Sequence, residues 1–331
     1  MNSEPRWSFL KDDRTTWPVN GERWMLQRIE NERQLRQRFM RDGVFDNEKI
    51  EQYFVDISRF KEQLAICTLV TAGIPLRPSE LFTLQHENLS SNIRRNIFIE
   101  DGMVALVTGF NDITETKLIV RFLPREVGEL VIWYLWLVLP FVRHLSLWQS
   151  NQAPSGRLDS RRRCVLPFNK DACLWGPDPG IGQEWTYSRL NRVLERETEA
   201  RLEYALDIAS YNDIAVGISR RLLERSNAFP NYFRADQRRK LDLMDENAED
   251  YDDIDFEEWM DILYDWDRET ETAGMAYACE ISERPNSASD LRAKFRACST
   301  DWHRRLGLES CGRAPSLLGK RVGAPSRGDG D

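Results

Sequence analysis

The stretch TAGIPLRPSELFTL, residues 71–84, constrains this chain more than any other. The apolar run Leu64-Ala65-Ile66-Cys67-Thr68-Leu69-Val70 precedes it and is long enough for two buried helical turns. Gly73 and Pro75 end that run. Arg77 stands immediately before Pro78, whose ring pushes the preceding residue out of the α region into an extended conformation. Pro78 suits the first position of a new helix, and Ser79 and Glu80 put an acceptor and a negative charge in its first turn. Leu81, Phe82 and Leu84 carry that helix into a core. A guanidinium is thereby held at the mouth of a helix N-terminus, a place suited to a phosphate or a carboxylate. Taken by itself, the stretch reads first as an ordinary Arg–Glu surface pair at a helix start.

A length of 331 residues allows one large domain or two modest ones, and 41% hydrophobic residues with 11 Trp point to a folded chain. The net charge of −8 is awkward for a nucleic-acid binder, because phosphate contacts supply most of that affinity. Any DNA-binding surface must therefore find its positive charge locally. The six cysteines (67, 164, 173, 279, 298 and 311) are scattered without zinc-site spacing, and there are three histidines, so no metal or other cofactor is expected. The cysteines read as free thiols of a reducing compartment. The first residues, MNSEPRWSFLKDDR, lack the apolar core of a signal peptide. The longest apolar run, residues 130–142, ends at Leu139-Pro140 and reads as too short to span a bilayer, so no membrane partner is expected.

Taken in order, residues 1–20 read as a flexible leader and residues 21–60 as a helical arm. The arm comprises a charged helix over 22–41, stopped by Asp42-Gly43, and a second helix over 46–60. Residues 61–308 read as the main domain. Within it, 96–110 splits at Asp101-Gly102, a strong hairpin signal, and 117–124 (KLIVRFLP) supplies a third strand. The fold class is thus mainly helical with one small antiparallel sheet over 96–123. Residues 125–142 read as a helix apolar on nearly all sides and hence buried. Residues 154–182 read as a surface loop carrying Arg161, Arg162 and Arg163, either a solvated charge run or a phosphate contact. A helix over 187–206 follows, bearing Arg192 and Arg196, and then one over 210–225 that should bury Ile214, Ile218 and Leu222. Residues 236–267 form an acidic insertion, either solvated or a DNA-mimicking flap. Residues 289–308 form an amphipathic helix with Leu291, Phe295, Cys298, Trp302 and Leu306 on one stripe. The tail, 309–331, reads as disordered.

TAGIPLRPSELFTL resembles the first catalytic box of tyrosine recombinases, a Thr-Gly-Leu-Arg-x-x-Glu-Leu pattern that supplies an active-site arginine. Residues 71–307 also resemble a narrower group. These are the fungal tyrosine-recombinase-like domains of Crypton-type mobile elements, found as well ahead of telomere-linked RecQ-type helicases. The stretches carrying this match are RRNIFIEDGMVALVT, RFLPREVGELVIWYLWLVLPF, IAVGISRRLL, TAGMAYACEI and FRACSTDWHRRLG. The resemblance implies a recombinase-type catalytic domain in the nucleus or nucleocytoplasm, DNA as partner, and association of copies through the helix over 289–308.

It also assigns roles. Arg77 is the first catalytic arginine and Glu80 its buttress. Tyr277 takes the position of the nucleophile, and Arg268, nine residues earlier, replaces the family's histidine. Asp112 falls at the position of the lysine that protonates the leaving oxygen, with Lys117 the nearest substitute. Asn212 falls at the second arginine, and eight helical residues to Arg220, about 12 Å, are too many for a replacement. Arg161, Arg162, Arg163, Arg192 and Arg196 are the residues offered to the DNA groove. Three readings stay open: a DNA-binding domain with impaired cleavage, a non-enzymatic relic or interaction module, and an active strand-exchange enzyme using Tyr277.

Overall fold

The computed structural model describes residues 4–73, 75–89, 95–111, 116–152, 172–180, 182–222 and 285–310. The acidic insertion, the Arg161–Arg163 cluster and the tail beyond Ser310 lie outside them.

Residues 4–20 are not a loose leader. Ser8 caps a short 3-10 turn, Phe9–Lys11, whose Phe9 is buried. The Arg6 N–H donates to the Asn88 carbonyl at 2.7 Å, and the Asn88 N–H donates back to the Trp7 carbonyl at 3.0 Å. Trp17 lies against Trp136 with ring centroids 4.7 Å apart. Three aromatic residues in a polar stretch were enough to dock it, because each hides more apolar area than its polar neighbours need exposed.

The expected helix over 22–41 is two helices and a hairpin. Helix α1 is Gly21–Asn31, capped by Asn20, and α2 is Arg33–Phe39, with Glu32 extended between them. Ile29 and Phe39, both buried, are ten residues apart, about 80° off register on a straight helix. The break at Glu32 lets both reach one core. Strands β1, Met40–Arg41, and β2, Val44–Phe45, then pair across Asp42-Gly43, both at positive φ.

Helix α3, Asn47–Thr71, overturns the division at residue 60. It holds 25 residues, about 38 Å, with no Gly, Pro or internal cap. Its buried stripe runs without interruption through Ile50, Phe54, Ile57, Lys61, Leu64, Thr68 and Leu69. Arm and main domain therefore share one helix and one core.

A turn through Gly73 leads to α4, Pro78–Phe82. Strands β3 (Ile97–Glu100), β4 (Met103–Asn111) and β5 (Thr116–Phe122) form an antiparallel meander in the order β3-β4-β5. Asp101 and Gly102, at φ 48° and 79°, make the expected tight turn. The described residues are accordingly mainly helical, with this small three-stranded sheet beside the two-stranded β1-β2 hairpin.

Helix α5 (Arg125–Trp133) continues through a π turn (Tyr134–Val138) into α6 (Leu139–Gln152). The helix expected over 125–142 runs on to Gln152, with Pro140 inside it. Having no N–H for the Trp136 carbonyl four residues back, Pro140 is accommodated by the widened turn. Gly21 sits against that carbonyl, where a Cβ would lie 2.2 Å from the oxygen. The 28-residue helix is long and apolar enough, by length and composition alone, to cross a membrane. It is not buried all round: Val131, Leu135, Phe141 and Leu145 face the core, while Trp133 and Leu147 are exposed.

Helix α7 is Tyr187–Leu202, with Thr186 accepting from the Arg189 N–H, and α8 is Ile208–Leu222. The buried face of α8 is Ile208, Tyr211 and Ala215, whereas Ile214 and Ile218, expected inside, are 45% and 36% exposed. Helix α9, Pro285–Arg305, buries Phe295, Cys298 and Trp302. Leu306 falls past its end, before the positive-φ Gly307, and is exposed. The buried face of α9 packs on β5 and α3 of the same chain. Residues 309 and 310 are also tied down: the Glu309 carbonyl accepts from the Arg125 N–H, and Ser310 bonds His303.

Candidate nucleic-acid interface

Arg77 is the N-cap of α4, at φ −71° and ψ 146°, the extended conformation that Pro78 imposes. Its N–H donates to Glu80 Oε2 at 2.9 Å, and its guanidinium approaches Glu80 Oε1 at 3.5 Å. The Arg77 side chain is 19% exposed. Glu80 is buried. It also accepts from the Thr108 hydroxyl on β4 at 2.8 Å and from Arg121 Nη2 on β5 at 3.1 Å. Burial pushes the Glu80 carboxyl up. The charges of Arg121 and Arg77, with the bonds from the Arg77 N–H and Thr108, outweigh that and hold it at about 2. Glu80 is therefore a carboxylate at any physiological pH, with two guanidiniums converging on it.

The turn ahead of Arg77 is assembled from three helices. The last carbonyls of α3 have no intrahelical donors of their own. The Tyr211 hydroxyl of α8 donates to Val70 O at 3.3 Å, and Trp302 Nε1 of α9 donates to the same oxygen at 2.9 Å. Ser299 Oγ donates to Ala72 O at 3.2 Å and accepts from the Phe122 N–H of β5 at 3.1 Å. Gly73, at φ 95°, lies so close that a Cβ would meet the Ser299 Cα at 3.2 Å. His303 completes the contact: its Nε2 faces the Phe122 carbonyl at 3.1 Å and so carries the proton, leaving Nδ1 to accept from Ser310 at 2.8 Å. Burial lowers the His303 pKa to about 4.

Asn212 follows Tyr211 and thus lies where α8 meets the end of α3. Its Oδ1 is buried without a hydrogen-bond partner among the described residues. Lys117 lies in β5 opposite Phe110, and its side chain is outside the described residues, as are Asp112, Arg268 and Tyr277 altogether. Arg192, on α7, is exposed and donates to the Ser188 carbonyl at 3.3 Å. Arg196 pairs with Glu62 at 3.1 Å and with Glu197 at 3.0 Å.

Arg196 is the outer end of a network that sequence reading passed over. Lys61, buried in the α3 stripe, donates to the Gly176 carbonyl at 2.7 Å and to Asp178 at 3.1 Å. Arg189 bridges Asp178 at 2.6 Å and Glu62 at 3.0 Å, with its guanidinium 4.4 Å from the Trp185 ring centroid. The visible signal was a lysine at a core position of an amphipathic helix. Arg121 was missed as well. Its signal was an arginine flanked by Val120 and Phe122 in an otherwise apolar strand. A separate cavity of about 610 Å³ lies between the N-terminal segment, β3 and α5, walled by Trp7, Trp17, Phe98 and Trp133. None of Arg77, Asn212, Arg192 and Arg196 lines it.

Comparison with protein-family models, with curated proteins and with solved structures returns no match to this chain.

Proposed function

We propose that this chain is a DNA-binding domain of the tyrosine-recombinase type whose strand-cleaving chemistry is impaired. The observation that carries the reading is Arg77: a partly exposed guanidinium at a helix mouth, braced by a buried Glu80, directly ahead of a three-stranded meander. A partly exposed guanidinium favours a phosphate oxygen. The sequence resemblance supplies the rest. It makes Tyr277 the position of the nucleophile and Arg268 a second donor to the phosphate.

Asn212 offers a neutral group where the family has an arginine, and Asp112 puts a negative charge where it has the proton-donating lysine. Loss of one such donor costs about 10²–10³ in rate, by analogy with an oxyanion hole. A phenol with an ordinary pKa of about 10 needs a phosphate polarised by its neighbours.

Two measurements test the reading. Binding to a short duplex should weaken steeply with salt and tolerate changes of sequence. A duplex nicked near the scissile phosphate, which traps phosphotyrosyl products on a denaturing gel, should yield no adduct. Adduct should appear only after Asp112→Lys, Asn212→Arg and Arg268→His are combined. A Tyr277-dependent adduct from the unmodified chain, lost in Tyr277→Phe, establishes an active recombinase instead. One observation favours the interaction-module reading: Arg196 is held by two carboxylates rather than offered to a groove. Absence of salt-sensitive DNA binding decides for that reading.

A further inference from the structure

A second arginine stands behind Arg77. Arg121 is fully buried, and its guanidinium reaches three elements at once. Its Nη1 donates to Thr108 Oγ1 on β4 at 2.6 Å. Its Nη2 donates to Glu80 Oε2 on α4 at 3.1 Å and to the Pro75 carbonyl, in the turn between α3 and α4, also at 3.1 Å. Arg77 is bracketed by these bonds. Pro75 lies two residues before it, and Glu80, three residues after, takes its N–H. The planar fork of an arginine suits this simultaneous bonding, which a point-charge lysine does not reproduce.

We infer that Arg121 is a positioning residue that sets the Arg77 guanidinium for a DNA phosphate, an inference that rests on the DNA-binding reading above. Arg121 has no exposed surface and does not itself touch DNA. It acts through Glu80. The Glu80 carboxylate, shared with Arg121, holds the Arg77 N–H at 2.9 Å and leaves the Arg77 guanidinium further off, at 3.5 Å. Without Arg121, Glu80 must find its compensation in Arg77, since an uncompensated charge is costly at such a site. The guanidinium is then pulled inward, and Glu80 competes with the phosphate for it. Loss of the Pro75 bond loosens the same turn from the other side.

The test is duplex binding by the full chain, followed by fluorescence anisotropy over a salt series. Arg77→Gln should lower the slope of log affinity against log salt by about 1, the loss of one phosphate contact. Arg121→Met should lower it by about the same amount, and the double variant should fall no further than Arg77→Gln alone. Arg121→Lys, which keeps a cation beside Glu80, should recover part of the slope. Thr108→Val removes one Arg121 bond and the Thr108 bond to Glu80 with little change of shape, so it serves if Arg121→Met does not fold. It should give a smaller drop that vanishes in the Arg77→Gln background. Additive losses, or Arg121 and Thr108 variants with the unmodified slope, overturn the inference while leaving the DNA reading intact. An unmodified chain without salt-dependent binding overturns that reading and this inference together.

Discussion

Two charge clusters in this molecule use the same residue types to different ends. Between α3 and α7, Lys61, Arg189 and Arg196 are laced to Asp178, Glu62 and Glu197. The bonds that Lys61 and Glu62 make there tie residues 117 to 134 apart in sequence, and the network's inner half is sealed from solvent. At the head of α4, Arg77 and Arg121 converge on Glu80, and the cluster has a direction. It is buried at Arg121 and partly open at Arg77. The first arrangement closes on itself, and in the second one of the two guanidiniums keeps some exposed surface. Counting arginines in the sequence does not separate them. Arg196 and Arg77 were both candidates for DNA contact, and only the identity of their neighbours distinguishes the two.

The largest effect should come from the sealed network. Asp178→Ala leaves Lys61 and Arg189 facing each other without their shared carboxylate, and should cost about 3–5 kcal/mol in urea unfolding. A loss near zero would place that network among the ornamental ion pairs and erase the contrast.

Next is Glu80, whose carboxyl is held at about 2 against an ordinary 4.5. A depressed acid stabilises the fold above its unfolded pKa and ceases to do so as pH falls through the folded value. Stability of about 3 kcal/mol should thus be present above pH 4.5 and disappear towards pH 2. Glu80→Gln should flatten that limb of the pH–stability curve. An unaltered limb would assign the acid sensitivity to other carboxylates.

His303 works in a higher window. Its folded pKa of about 4 lies below the usual 6.5, so the unfolded chain takes up the proton first, and stability should fall as pH drops from 6.5 to 4. His303→Gln should remove this slope while leaving the Glu80 limb in place. Smaller again is the effect on duplex binding over a salt series. Arg77→Gln should change its salt slope by about 1, while Arg196→Gln should change it by less than half as much, because Arg196 already spends its charge on Glu62 and Glu197. Equal slopes would return Arg196 to the groove.

Local chemistry was legible in the sequence. Asp101-Gly102 needs positive φ at both positions and makes its turn whatever surrounds it. Pro78 likewise fixes Arg77 as an extended cap. What depended on distant partners was not legible. The burial of Arg121 requires Glu80, 41 residues away, and that of Lys61 requires Asp178, 117 away. Helix α8 shows the limit of periodicity. Tyr211 and Ala215 form one pair at i, i+4, and Ile214 and Ile218 form another, so spacing alone cannot rank them. Hydropathy favours the isoleucines. The structure buries Tyr211, because its hydroxyl reaches the end carbonyls of α3, a bond an isoleucine cannot make. The candidate site follows the same division: Arg77 and Glu80 could be read from one short stretch, while the residues that support them are scattered over α8, β5 and α9.

The unbroken α3 also has a mechanical consequence. A protein that encircles a duplex closes two lobes about a hinge, and a hinge needs a few residues free to change their backbone angles. Between residues 47 and 71 there is only helix, seated along its length in one core. Swinging the first sixty residues away from the remainder would mean bending that rod or tearing its buried stripe out of place. On the DNA-binding reading proposed above, the described part of the chain would meet a duplex as one stiff face pressed against one side of the double helix.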